Sequence, residues 1–317
     1  MSVSFEHVQA AARRIAPFVT RTPLLRAEAL SAATGRDVWL KLETLQRTRA
    51  FKRRGAVNAL LALEEREGTL PPLVTASAGN HGVALSSIAR ELGAQLTIYV
   101  PKDAPRAKLD RLRGPGITIV ADCVDYDAAE ARAIAASAAG DGLFISAYAH
   151  PDVIAGAGTI ALEVLEDMPN AGAIIVPTGG GGLLSGVSIG ANGRVPVIGV
   201  EPEVNPAFTS ALAAGHTTTI TPGESLADGL TGNLEPNALT FDLVQARSVP
   251  VRLVPEACLV DGVRALFAHE RLVVEGAGGI AVGALLGGVL DDLPDPLVLL
   301  ITGANIDAPT LARVLAS

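Results

Sequence analysis

Lys52 is the residue of this chain whose setting points most directly to covalent chemistry. It follows Phe51 at the predicted start of a helix, within the segment 41–56. The positive end of the helix dipole and the neighbouring Arg53 and Arg54 favour the neutral form of its amine. Because a neutral amine is the form that attacks carbonyl groups, Lys52 is a candidate for Schiff-base chemistry. The alternative is an ordinary solvated lysine.

A second segment, 75–82, reads Thr-Ala-Ser-Ala-Gly-Asn-His-Gly and runs from a predicted strand directly into a helix. Ser77, Gly79, Asn80 and His81 place small residues and free backbone N–H groups at that helix start. Such a start binds anions, and a carboxylate would fit there. Ser77 or Asn80 could equally serve as an ordinary helix cap.

Two further turns carry glycine next to groups that could bind a ligand. Residues 177–185 contain four consecutive glycines between a strand and a helix, a loop whose N–H groups can all approach one phosphate. The loop lacks the Lys-Ser/Thr ending of a nucleotide-binding P-loop, so a small monophosphate fits better than a triphosphate. In residues 299–305 a buried strand delivers Thr302 into a Gly turn, where its hydroxyl could bind a ligand or cap the turn.

Other patterns are weaker. Residues 276–281 match the dinucleotide pattern G-x-G-x-x-A, but no ribose-binding acid ends a following strand, so they are interpreted as a close-packed helix start. Cys123 and Cys258 stand alone and predict two reduced, mostly buried thiols. Apart from His81, the histidines show no ligand spacing, and no metal site is predicted.

These turns must be positioned by the strands and helices around them. Short Val/Ile/Leu-rich runs without alternation predict strands buried on both faces, hence parallel and covered by helices. They alternate with helical patterns, which predicts open, twisted α/β sheets with ligands beyond the carboxyl ends of the strands. Strands are expected at 38–42, 73–76, 96–100, 117–120, 143–145, 174–176, 197–200 and 297–301. Helices are expected at 51–66, 80–92, 105–113, 126–139, 153–166 and 183–190, with a final helix capped by Asp307.

Composition narrows the function classes. The 317 residues carry 25 basic and 33 acidic side chains, a net charge of −8 without a basic run, which argues against nucleic acid and membrane-surface partners. No apolar stretch reaches the roughly 20 residues that span a bilayer. Residues 1–14 predict an amphipathic helix, not a secretion signal. A cytoplasmic protein acting on a small molecule is expected.

Taken together and in this order, the lysine segment, Ser-Ala-Gly-Asn-His-Gly, Gly-Gly-Gly-Gly-Leu and Thr-Gly-Ala-Asn resemble the fold type II (tryptophan synthase β-like) enzymes that use pyridoxal 5'-phosphate (PLP). The similarity is greatest to the threonine/serine dehydratases and covers almost the whole chain. It implies two open, twisted α/β domains with the cofactor between them, and a homodimer. The large domain would contain residues 1–50 and 149–317 and the small domain residues 51–148, with no C-terminal regulatory (ACT-like) domain.

The resemblance also implies a role for each motif residue. Lys52 would hold PLP as a Schiff base, with Phe51 near the cofactor ring and Thr302 facing its pyridine nitrogen. Asn80 would bond the ring hydroxyl. The remaining roles are phosphate binding by Gly179, Gly180, Gly181, Gly182 and Leu183, and substrate-carboxylate binding by Ser77, Ala78, Gly79 and His81.

The chain departs from the usual family pattern at three places. Ala50 stands where Ser commonly precedes the Phe-Lys pair, and Thr302 replaces a common Ser. Some relatives have a divalent-cation site, and Glu201 matches one of its carboxylates. Ala207 stands where a second carboxylate is expected, so a tight divalent site is not predicted.

The resemblance implies elimination of water and ammonia from L-threonine, L-serine or both, giving a 2-oxo acid. Freed Lys52 would act as the base that removes the α-proton. A racemase, a hydroxyaspartate dehydratase and a β-replacement enzyme of the same family remain alternatives. An amino-acid-binding protein would have no need of Lys52, and an NAD-dependent oxidoreductase would rest only on the dinucleotide pattern.

Overall fold

The computed structural model describes residues 2–235 and 237–316. These residues form two separate sheets, one of six strands and one of four. The strands are β1 (Leu24–Arg26), β2 (Val38–Leu42), β3 (Leu73–Ala76), β4 (Leu96–Pro101), β5 (Ile117–Cys123), β6 (Leu143–Phe144), β7 (Ala173–Pro177), β8 (Val197–Pro202), β9 (Val251–Val254) and β10 (Leu297–Ile301). The order is β1-β2-β10-β7-β8-β9 in the larger sheet and β5-β4-β3-β6 in the smaller.

Helices connect and cover the strands. They are α1 (Phe5–Ile15), α2 (Glu28–Thr34), α3 (Lys52–Glu67), α4 (Asn80–Leu92), α5 (Arg106–Leu112), α6 (Tyr126–Ala138), α7 (Pro151–Asp167), α8 (Gly182–Ala191), α9 (Ala207–Ala214), α10 (Leu239–Ala246), α11 (Glu256–Glu270), α12 (Gly276–Leu286) and α13 (Ala308–Ala316). No helix of residues 2–235 and 237–316 combines the length and the apolar character needed to cross a membrane.

The strands and helices expected from the sequence are present, with ends that differ by at most a few residues. The N-terminal helix expected over residues 1–14 is α1, and residue 1 lies outside the described residues. Asp307 caps α13 as expected, because its Oδ1 accepts a hydrogen bond of 2.8 Å from the Thr310 N–H. Both cysteines are free thiols, Cys123 buried and Cys258 partly exposed.

The expectation of parallel strands holds for the smaller sheet but is wrong for one pair in the larger. Strand β1 pairs antiparallel with β2, while the remaining pairs of both sheets are parallel. Strands β1 and β9 were not predicted. Both are edge strands with largely accessible residues, so they lack the continuous apolar run that marks a strand covered on both faces.

Glycine allows the helices beside the larger sheet to approach one another closely. A Cβ on Gly158 of α7 would lie 2.5 Å from the Gly186 carbonyl oxygen of α8, and one on Gly262 of α11 would lie 2.3 Å from the Gly279 carbonyl oxygen of α12. These contacts account for a core built from small aliphatic residues with only 3% aromatics.

A buried network of charges anchors α3, the helix that begins at Lys52. Arg54 forms two hydrogen bonds of 2.8 Å with the Glu43 carboxylate at the end of β2. It also donates to both oxygens of Glu163 on α7, at 2.6 and 2.8 Å, and Lys41 donates to Glu163 at 2.6 Å. Because the Arg54, Glu43 and Lys41 side chains are fully buried, each charge depends on its partners for stabilisation.

We therefore expect Glu43→Ala to lower the free energy of unfolding by about 3–5 kcal/mol, since it leaves the Arg54 charge buried and short of a partner. The control is Arg21→Ala, which breaks the ion pairs of Arg21 with Glu166 and Asp167. The Arg21 side chain is 52% exposed. That change should cost less than about 1 kcal/mol. Urea denaturation followed by circular dichroism measures both, and equal losses would show that burial does not govern the Arg54 network.

Candidate active site

A cavity of about 420 Å³ lies where the carboxyl ends of strands from both sheets meet. Ser77 follows β3, Gly179 follows β7 and Thr302 follows β10, and all three contribute to its wall. The structure brings every site residue predicted from the sequence into this wall. They are Phe51, Lys52, Ser77, Ala78, Gly79, Asn80, His81, Gly179, Gly180, Gly181, Gly182, Leu183 and Thr302.

A short antiparallel contact between two distant segments places Lys52 in the cavity. Ala50 pairs with Gly303 in an isolated bridge. The Phe51 N–H donates to the Thr302 carbonyl and the Ala304 N–H donates to the Arg49 carbonyl, both at 2.9 Å. Lys52 begins α3 immediately after this contact, so the position of its amine is tied to the Thr302 turn.

The Lys52 amine is poised for nucleophilic chemistry. Its Nζ donates to the Ala147 carbonyl at 2.8 Å and lies 5.1 Å from the centre of the Phe51 ring. Burial lowers the pKa of Lys52 to about 8, against the opposing effect of the Glu275 carboxylate. The predicted direction of this shift is correct. The predicted contribution of Arg53 and Arg54 is wrong, because both arginines form ion pairs, with Glu91, Glu43 and Glu163.

The four-glycine loop is shaped so that side chains cannot be accommodated. A Cβ on Gly180 would lie 2.4 Å from the Tyr148 ring, and one on Gly182 would lie 2.7 Å from the Tyr148 carbonyl oxygen. Gly181 has a φ of +82°, a conformation that favours glycine. The loop leads into the N-terminus of α8, whose first N–H groups have no partner within the helix. Loop and helix start together form a cradle for an anion such as phosphate.

The segment before α4 is already partly hydrogen-bonded within itself. The Ser77 Oγ accepts from the Gly79 N–H at 3.2 Å, so one donor of the predicted carboxylate cradle is engaged and the Ser77 hydroxyl hydrogen is left for a ligand. His81 is buried and neither ring nitrogen makes a hydrogen bond of good geometry. Burial, and then the nearby Lys52, lower the pKa of His81 to about 3, so its ring is neutral at physiological pH.

Thr302 is buried in the wall of the cavity. Its hydroxyl donates only a long hydrogen bond, of 3.3 Å, to the Ala277 carbonyl. A neutral hydroxyl at this place can accept or donate a hydrogen bond but supplies no charge.

Sequence reasoning assigned no role to several residues of the wall, among them Tyr148, Glu275 and Asn305. Glu275 immediately precedes the glycine pattern at 276–281 that was weighed as a dinucleotide motif. Its carboxylate accepts from Asn80 Nδ2 at 2.6 Å, and burial raises the pKa of Glu275 to about 7. The position of Glu275 directly before the glycine-rich run was the only sequence feature that could have indicated a role. Its contact with Asn80 follows from the fold alone.

The glycines at 276–281 are a close-packed helix start, as predicted. A Cβ on Gly276 would lie 2.2 Å from the Leu226 carbonyl oxygen, and one on Gly278 would lie 2.5 Å from that of Gly303. Residues 272–274, which precede these glycines, form no strand. The motif therefore lacks the strand that a dinucleotide site requires.

Glu201 has a structural partner. Its carboxylate accepts from the Phe208 N–H at 3.0 Å and the Thr209 N–H at 2.7 Å, at the start of α9. Burial raises the pKa of Glu201 despite these hydrogen bonds.

Comparison with known proteins agrees with this geometry. Residues 15–303 match the family described as pyridoxal-phosphate dependent enzyme. The L-threonine ammonia-lyase of Thermotoga maritima is 35% identical over 316 residues, which cover 99% of this chain and 78% of that protein. The threonine deaminase structure from T.th. superposes with a TM-score of 0.87 at 35% identity, covering 96% of this chain and 99% of that one.

A maize serine racemase structure superposes equally well, with a TM-score of 0.89 at 28% identity, covering 100% of this chain and 98% of that one. Lyases and a racemase thus share this fold. The similarity therefore indicates the cofactor class but does not by itself distinguish the reaction. The chain belongs to the pyridoxal-phosphate dependent enzymes of fold type II.

Proposed function

We propose that this protein is an ammonia-lyase that converts L-threonine, L-serine or both into a 2-oxo acid and ammonia. The observation that carries the proposal is the composition of the cavity wall around Lys52. It contains the buried Lys52 amine and, at Ala78, a methyl group that can neither give nor take a proton. Lys108, the second lysine of the wall, is paired with Asp228. Curated relatives named threonine ammonia-lyase, 35% identical, support the same reaction.

The residues of the wall fit pyridoxal phosphate. The glycine loop and the start of α8 form a cradle that any Cβ would fill, suited to the phosphate. Lys52, with a pKa lowered to about 8, is suited to hold the aldehyde carbon. Asn80 would bond the ring hydroxyl, Phe51 would pack near the ring and Thr302 would face the pyridine nitrogen. When bound, the cofactor supplies an electron sink for the bonds at the substrate Cα.

The protein's own groups then orient the substrate and move one proton. Ser77, Ala78, Gly79 and His81 would bind the substrate carboxylate, with the Ser77 hydroxyl free to donate. The Lys52 Nζ, once free, would remove the proton from the substrate Cα, and the β-hydroxyl would take up one proton and leave as water. A neutral His81 adds hydrogen-bonding capacity without a competing charge.

The alternative reactions have less support from the residues of the cavity wall. A racemase would share the cofactor-binding residues but needs a proton donor on the face opposite Lys52. In the serine racemases that this chain resembles a Ser occupies the position of Ala78, and a methyl group can neither give nor take a proton. A hydroxyaspartate dehydratase stays open as a related substrate choice. The NAD-dependent oxidoreductase rested only on the dinucleotide pattern at 276–281, and the family match to pyridoxal-phosphate dependent enzymes does not support it.

We further propose a large domain of residues 1–50 and 149–317 and a small domain of residues 51–148. The division is supported by the smaller sheet, whose strands β3 to β6 fall within the proposed small domain. We propose a homodimer, which the family resemblance supports. We also propose a cytoplasmic location, which the two free cysteines support.

Purified protein loaded with PLP should produce 2-oxobutanoate and ammonia from L-threonine, or pyruvate and ammonia from L-serine. Lys52→Ala should lose the activity, by a factor of at least about a thousand, because anchor and base are removed together. A 2-oxo acid assay across a panel of hydroxy-amino acids measures both proteins. Borohydride reduction followed by peptide mapping is the control, since an adduct persisting in the variant would identify another anchoring lysine.

The rate at which cofactor-free protein captures PLP should depend on pH through Lys52. With a pKa of about 8, the amine is mostly protonated at pH 6 and mostly neutral at pH 9, so capture should accelerate by more than about tenfold over that range and then level off. The growth of the visible absorbance band at fixed PLP gives the rate. A rate that kept climbing to pH 10, as for an ordinary lysine, would contradict the lowered pKa.

Ala78→Ser should raise the share of racemisation. The new hydroxyl supplies a proton donor and acceptor on the face away from Lys52, so D-serine should appear beside pyruvate from L-serine, while the unmodified enzyme gives negligible D-serine. Chiral chromatography of the products measures the ratio. Ser77→Ala is the matched control and should leave that share unchanged; substantial D-serine from the unmodified enzyme would mean that another group acts as the second acid.

A further inference from the structure

A chain of three side-chain hydrogen bonds runs along one wall of the cavity. Arg111 Nη2 donates to Asn305 Oδ1 at 2.7 Å, Asn305 Nδ2 donates to Asn80 Oδ1 at 2.5 Å, and Asn80 Nδ2 donates to Glu275 Oε1 at 2.6 Å. The four residues come from α5, the turn after β10, the start of α4 and the residue before α12. The chain therefore joins both sheets at the cavity.

The two ends of this chain give it a direction. A guanidinium can only donate hydrogen bonds, and an ionised carboxylate can only accept them. Arg111 therefore requires Asn305 to present its oxygen, and the Thr48 carbonyl accepts from Asn305 Nδ2 at 3.0 Å. Both contacts turn the Asn305 NH₂ away from Arg111 and leave it facing Asn80. Asn80 must then present its own oxygen to Asn305 and its NH₂ to Glu275. With either amide reversed, acceptor would face acceptor and a buried hydrogen bond would be lost.

Glu275 is not explained by its local structure. It occupies the N-cap position of α12, where a carboxylate ordinarily accepts from the helix N–H groups, but it makes no such hydrogen bond. The side chain is instead buried and directed at Asn80. Gly303 makes room for it, since a Cβ there would lie 2.2 Å from Glu275 Oε1 and 3.3 Å from Asn80 Nδ2.

A buried carboxylate is costly, and the groups around Glu275 only partly compensate it. Asp228 faces it as a like charge, while Lys108, which pairs with Asp228 at 2.9 Å, and Lys52 oppose that effect. The Glu275 carboxylate is therefore costly to bury and does not cap α12. It accepts a hydrogen bond from Asn80, a residue of the cavity wall.

We propose that Glu275 and Asn305 are positioning residues that lock the Asn80 amide in one orientation, Asn305 being held in its own orientation by Arg111 and the Thr48 carbonyl. In that orientation one Asn80 N–H is used by Glu275 and the second is left to donate to a ligand oxygen in the cavity, while the Asn80 oxygen is turned away. The site thereby selects an oxygen that accepts, such as the ionised ring hydroxyl of PLP. The inference rests on the proposed function only for the identity of that ligand.

A double-mutant cycle on the PLP-loaded protein tests the inference. In Glu275→Gln the end group can accept or donate, so only Asn305 sets the direction of the Asn80 amide. In Asn305→Leu, which removes the partner of the Asn80 oxygen, only Glu275 sets it. Each single variant should weaken PLP binding by no more than about threefold, whereas the double variant should weaken it by at least about thirtyfold and shift the visible band. Two readouts are used: the free PLP concentration that half-saturates the band, and the wavelength of the band.

Arg106→Met is the control, because Arg106 lies on α5, the helix of Arg111, with its side chain 93% exposed, and it should change neither readout. Circular dichroism confirms that each variant is folded. A double variant whose loss equals the product of the single losses, or is smaller, would overturn the inference. Because binding rather than turnover is measured, a protein inactive on threonine would refute the proposed function and leave this comparison intact.

Discussion

The antiparallel contact between residues 49–51 and 302–304 is the constraint on which the site depends. It joins two segments about 250 positions apart, so that Lys52 and Thr302 face one cavity. Gly303 is central to it: its carbonyl accepts from the Glu275 N–H at 3.1 Å, and its missing side chain leaves space for the Glu275 carboxylate. Arg49 adopts a φ of +60°, an uncommon backbone conformation held in place by this contact.

Neutralisation of the surrounding charges explains how Lys52 acquires its reactivity. Arg53 and Arg54 are fully buried beside it, and unpaired they would dominate its electrostatics. Each is instead matched by carboxylates, Arg53 by Glu91 and Arg54 by Glu43 and Glu163. What remains at Lys52 is mainly the loss of water around its amine, which disfavours the charged form. The same ion pairs anchor α3, so the arginines serve the site by holding its helix in place.

Close packing determines the other wall. Tyr148 lies against the glycine loop, and its hydroxyl accepts from the Glu235 N–H at 3.0 Å. The preceding residue, Ala147, accepts the hydrogen bond of Lys52. One turn therefore sets the distance between the amine and the phosphate cradle. Glycine is required in the loop both for this close approach and for the backbone of Gly181, and not only for flexibility.

The sequence by itself determined the α/β class, the central strands and helices, and the membership of each predicted residue in one site. It could do so because strands covered on both faces leave an unbroken apolar run, and because glycine-rich strand-to-helix turns have few other uses. The edge strands β1 and β9 were not predicted, since half-exposed edge strands carry no such apolar run. The sequence also indicated no role for Glu275, Asn305 or Tyr148. Only tertiary structure turned a helix-cap carboxylate towards Asn80, paired the arginines beside Lys52 and so decided the cause of its lowered pKa, because these contacts join residues that are distant in the chain and leave no local pattern.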